Sequence, residues 1–108
     1  LTAQDTFCIA LDLDNNRLHF GKNGTWQNSS DPTSGSSGID ISGRGTNWVF
    51  FAASCFNANI GVNAGQGNMG TITIASAQSP DDGIGVFEYD VPAGYHALCT
   101  KSLSLYGG

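Results

Sequence analysis

The stretch that most constrains folding is a strict alternation. Phe7, Ile9, Leu11 and Leu13 fall on one side of an extended chain, and Cys8, Ala10, Asp12 and Asp14 on the other. Successive side chains of a strand point to opposite faces, so a period of two predicts a strand with one apolar and one more polar face. Asn15 and Asn16, residues that tolerate left-handed backbone angles, then reverse the chain, and Arg17, Leu18, His19 and Phe20 resume the pattern. The two runs read as a β-hairpin, and Lys22, Asn23 and Gly24 form a second turn signal that closes the returning strand.

Residues 25–47 are rich in Ser, Gly, Asn and Asp and alternate only at Ile39 and Ile41, which predicts a long loop with one short strand. Residues 48–56 are almost wholly apolar and predict a central strand buried on both faces. Further strands are expected over 60–64, 71–75, 86–89 and 95–100, with turns at Asn57, Ala58 and Asn59, at Ser79 to Gly83, and at Pro92, Ala93 and Gly94. No window longer than ten residues carries helical periodicity, and 15 glycines oppose long helices. No internal repeat is evident. Many short strands separated by turns predict an all-β chain, an antiparallel β-sandwich, whose interior takes Phe7, Ile9, Leu11, Leu13, Phe20, Trp48, Phe50, Ile60, Val62 and Leu98.

A length of 108 residues suits one domain with one core. Only 12% of residues are charged, against about 25% in an average soluble domain, so the surface depends on neutral amides and hydroxyls. Such a surface leans towards extracellular, virion and repeated-assembly proteins. The net charge of −5, with Arg17, Lys22, Arg44 and Lys101 scattered along the chain, leaves no basic stripe for phosphates and opposes nucleic-acid binding. No apolar run approaches the roughly 20 residues that span a bilayer, and no membrane partner is expected.

Candidate chemistry is thin. Cys8, Cys55 and Cys99 are far apart, without metal or redox spacing; buried free thiols are the favoured reading, and one disulfide with a leftover thiol the alternative. Asp12, Asp14 and Asn16 imitate the start of a calcium loop, but Arg17 and Asn23 stand where that loop needs Gly and a bidentate Glu. The same two aspartates, neighbours on one exposed strand face, lack a partner cleft across a sugar ring. His19 and His96 are far apart, and no G-x-S-x-G elbow accompanies them. Asn23-Gly24-Thr25 and Asn28-Ser29-Ser30 fit glycosylation acceptors. Catalytic residues, metal ligands and cofactors are therefore not expected. Trp26, amid small polar residues, reads either as a plug over the sandwich edge or as an exposed ligand anchor, with Asn57 and Asn59 candidates for the same rim.

Residues 9–20, IALDLDNNRLHF, followed by Lys22-Asn23-Gly24-Thr25-Trp26, resemble the central hairpin of SPRY domains. Downstream, residues 48–54 resemble that family's next buried strand, Val62-Asn63-Ala64-Gly65-Gln66 its VNFGQ, and residues 92–98 its closing PPGFKAL, all in the family's order. The loop 24–35 and the ending 97–101 are closest in style to SPRY domains of bacteriophage structural proteins. The chain departs from the pattern in three ways. Ala64 replaces an aromatic, 67–86 reads as an insertion, and the family's N-terminal strands are absent, to be supplied upstream in a longer chain or by a neighbouring subunit.

The resemblance implies a single SPRY or concanavalin-like module over residues 1–108, incomplete on its N-terminal side. It further implies a non-enzymatic virion protein, outside the cell, in a tail, fibre or capsid appendage. Such a module would sit in a homo-oligomeric assembly and bind other virion proteins or a host-surface receptor or glycan. The expected binding rim is Trp26, Gln27, Asn28, Asp31, Asn57 and Asn59. An intracellular SPRY adaptor that grips a peptide and a carbohydrate-active enzyme are the alternatives.

Overall fold

The hairpin forms where the alternation places it. In the computed structural model, which describes residues 4–53, 59–70 and 72–106, β1 (Phe7–Asp12) pairs antiparallel with β2 (Arg17–Lys22), Ile9 opposite Phe20 and Ala10 opposite His19. Asp12 fixes the connecting turn, because its carboxylate accepts the Asn15 backbone N–H at 3.0 Å and the Asn15 side-chain N–H at 2.8 Å. At the far end Asn23 (φ 51°) and Gly24 (φ 80°) make a tight turn of the left-handed kind that suits hairpins. That turn leads into β3 (Thr25–Trp26), which pairs with the end of β2. Within the expected loop, β4 (Ile39–Asp40) pairs with the start of β2, and Arg17 and Asp40 form an ion pair at 3.1 Å. The regular structure is thus mostly strand, in one open antiparallel sheet of four strands with β1 at its outer edge.

Beyond Asp40 the expected strands do not form among the described residues. Residues 48–53 and 59–64 carry no strand, and 54–58, including Cys55 and Asn57, lie outside the described residues, as does Thr71. The described residues of 66–87 hold only single bridges, Gln66 with Val86, Met69 with Ile72 and Gln78 with Phe87. The strand expected at 95–100 is absent, and a short helix, α1 (Thr100–Tyr106), starts at its end.

The larger correction concerns the interior. The apolar row Phe7, Ile9, Leu11 and Leu13 is exposed, as are Trp48, Phe50, Ile60, Val62 and Leu98, while Phe20 is half-buried. The opposite face is the covered one: Ala10 is 4% exposed and His19 1%. Small side chains explain the choice. Ala10 and Gly21 leave room on that face, so Trp26 lies on Gly21 and the loop brings Gly38 onto the His19 ring, where an added methyl would stand 2.6 Å from Cε1. Ile41 is buried in the same stretch. A second small-residue junction joins Gly65, Gly85 and Ala97, with a methyl on either glycine falling 2.9 Å from Ala97 Cβ.

Cys8 and Cys99 are free, half-buried thiols. The radius of gyration is 14.1 Å, against roughly 13 Å for a close-packed chain of this length.

Candidate functional site

The predicted rim divides. Trp26 ends β3 half-buried, its ring on Gly21 and edge-on to His19 with centroids 6.5 Å apart. Gln27, Asn28 and Ser29 form one tight turn in which Asn28 takes a left-handed φ of 57° and Ser30 N–H bonds to the Gln27 carbonyl at 3.0 Å. Gln27 and Asn28 are exposed. Asp31 is exposed and bridges Ser36, and its side chain accepts the Thr33 N–H at 2.9 Å. The Ser34 hydroxyl, then that Thr33 N–H, hold its carboxyl below the usual range. Gln27, Asn28 and Asp31 therefore form one exposed ridge, next to the point where the Tyr95 hydroxyl donates to the Pro32 carbonyl at 3.1 Å. Burial and the nearby Asp12 and Asp31 charges push the Tyr95 phenol up. Asn59 is exposed on another segment with no hydrogen bond to this ridge, and Asn57 lies outside the described residues.

A second polar cluster sits at the other end of the chain. Asp82 accepts the Ile84 N–H at 2.8 Å and faces His96 Nδ1 at 2.8 Å, and the His96 ring stacks on Tyr106 at 3.9 Å. The Ile84 N–H, followed by His96, holds the Asp82 carboxyl low. Such an Asp–His pair orients an imidazole, but hydrolysis needs a nucleophile on the other nitrogen, and no hydroxyl or thiol among the described residues bonds there. Cys99 bonds instead to the Ser102 hydroxyl, which draws its thiol down. Among the described residues no three His, Cys, Asp or Glu side chains converge on a metal position.

What sequence reasoning missed is the open side of the sheet. A broad concavity of about 2340 Å³ is lined, among others, by Ile9, Leu11 and Phe20 of the hairpin and by Trp48, Phe50 and Val62. Protein interiors are close-packed, so a space this large leaves those apolar side chains without close neighbours across it.

The edge bordering that space has a defined polarity. Asn23 N–H bonds to the Thr6 carbonyl at 2.9 Å, which makes Thr6 and Asn23 a hydrogen-bonded pair. Antiparallel ladders alternate between bonded and non-bonded pairs. Cys8, Ala10 and Asp12 therefore aim their backbone groups at β2, and those of Phe7, Ile9 and Leu11 point outward, unpaired among the described residues. The residues whose side chains form the apolar row are the ones whose backbone is vacant. The signal for this lay in the alternation itself, once the turn had fixed the register.

Compared with models of known families, with curated proteins and with solved structures, the chain finds no match.

Proposed function

We propose that the chain is a non-enzymatic structural or adhesion module of a virion, SPRY-like in style, that works by holding a neighbouring protein or a host-surface ligand. The observation that carries this reading is the open apolar row of β1 beside an unfilled concavity. Large exposed apolar patches on soluble proteins mark interaction surfaces, and this one is built from residues that the sequence commits to an interior. A sandwich completed by strands from elsewhere accounts for both, and the SPRY-like order of motifs supports it. The neutral polar surface suits repeated assembly, and the exposed ridge Gln27, Asn28 and Asp31 offers amides and a carboxylate for ligand contact.

Purified chain immobilised and presented with sibling virion proteins, host cells and a glycan panel tests the reading. Saturable binding to a virion protein or to host cells is the expected result. Binding to none of them, or turnover of a glycan that Asp12→Ala or Asp14→Ala abolishes, overturns it.

A further inference from the structure

We infer that Asn23 is a site of spontaneous deamidation, held off by the folded turn, and that its conversion to aspartate unfastens the residues just before β1 from the hairpin. This chemistry does not depend on what the module binds.

Asn23-Gly24 is the chain's only Asn-Gly pair. Glycine has no side chain to hinder its backbone nitrogen, which can close on the Cγ of the preceding asparagine. That attack forms an N–C bond, the side-chain nitrogen leaves as ammonia with the Gly24 amide proton, and a succinimide ring remains. Water then opens the ring at either carbonyl. One opening gives aspartate, and the other gives isoaspartate, in which the main chain runs through the side-chain carbon.

The fold opposes the closing step. Asn23 Nδ2 donates to Asp5 Oδ1 at 2.8 Å, and Asn23 Oδ1 accepts the Thr6 N–H at 2.8 Å, so the amide is pinned at both atoms. The Asn23 N–H bonds to the Thr6 carbonyl at 2.9 Å, which holds the backbone as well. The Tyr89 ring lies over Gly24, where an added methyl would stand 2.8 Å from Cδ1. Ring closure therefore waits for the turn to open, and its rate follows the open population.

The same bonds give the product its effect. Aspartate at position 23 sets a second carboxylate where the amide faced Asp5, which replaces a hydrogen bond of 2.8 Å by like charges in contact. Lys22, 3.0 Å from Asp5 Oδ2, offsets one of the two. Isoaspartate adds a backbone carbon to the tight link between Lys22 and Thr25, against their pairing in the sheet. Either product loosens the hold on Asp5 and Thr6.

Peptide mapping by mass spectrometry tests the first half, on protein kept at mildly alkaline pH either folded in buffer or unfolded in urea. In urea Asn23 is expected to convert ahead of the other asparagines, and in the fold at least about tenfold more slowly. Gly24→Ala should slow conversion in urea, where the folding of that variant plays no part. Hydrogen exchange tests the second half. Asn23→Asp should speed exchange of the residue 23 amide by about tenfold, an effect that added salt reduces. Asp5→Asn in the same chain places a donor opposite the new carboxylate and should return the exchange towards its original rate.

Equal conversion in buffer and in urea overturns the protection, and another asparagine converting first in urea overturns the site. Unchanged exchange at residue 23 in Asn23→Asp, or no return on adding Asp5→Asn, overturns the unfastening by paired carboxylates. None of these readouts involves a ligand, so the proposed function stands or falls by its own test.

Discussion

His19 carries the tension in this sheet. Its ring is 1% exposed and neither nitrogen has a hydrogen-bond partner among the described residues, with Gly38 pressed against one edge. An unsatisfied buried polar group costs about 1–3 kcal/mol, so His19→Leu is expected to leave the melting temperature unchanged or to raise it. Gly38→Ala meets the same ring with a methyl that has nowhere to go, and should lower stability by about 1–3 kcal/mol in urea unfolding. Acid acts on other residues. Asp12, Asp31, Asp40 and Asp82 all titrate below the ordinary 3.8, chiefly because Asn15, the Ser34 hydroxyl, the Ser42 hydroxyl and the Ile84 N–H bond to their charged forms. A depressed folded value means that the unfolded chain binds protons first. The contribution is complete above pH 3.8 and is lost as pH falls through the folded values, a loss that a circular dichroism titration from pH 6 downward should register below about pH 4.

Elements differ in how far the sequence announces them. The hairpin was legible because a period of two and the Asn turns are local facts, and β4 was legible in Ile39 and Ile41. The covered face was not, because hydrophobicity assigned the interior to Phe7, Ile9, Leu11 and Leu13, whereas the loop settled where Ala10 and Gly21 leave space. That inversion is testable. Ala10→Leu, on a 4% exposed site, should cost about 1–3 kcal/mol, and Ile9→Thr, at 42% exposure, less than about 1 kcal/mol. Equal costs in denaturant titrations would return the interior to the Ile9 side. The motif Val62-Asn63-Ala64-Gly65-Gln66 was read as a strand end and works as a knot. Asn63 Oδ1 accepts the N–H groups of Gly65 and Gly67 at 2.8 and 3.1 Å, and its Nδ2 donates to the Val86 carbonyl at 2.9 Å. Asn63→Ala should lower stability by about 1–3 kcal/mol and release the Val86 amide, bonded to Gly65 at 3.0 Å, to exchange. Helix α1 escaped notice because a run of 7 residues offers only about two turns of periodicity.

At the scale of the molecule, the sequence pointed to the right kind of regular structure, while the residues it grouped as one rim do not sit together. Of the expected rim, Trp26 is spent on covering Gly21, Gln27, Asn28 and Asp31 form a ridge, and Asn59 stands apart from it. The vacant edge of β1 could be found only after the Thr6–Asn23 bond had set which backbone groups face outward. The open row has a thermal consequence. Side chains such as Phe7, Ile9, Leu11 and Leu13 are hydrated before unfolding begins, so melting wets less new hydrocarbon than the length of the chain would suggest. Calorimetry should find an unfolding heat capacity below the roughly 1.3–1.6 kcal/mol/K usual for a domain of this size. Whatever covers that row should bind with a negative heat-capacity change, because the water shed by those side chains is released at that step.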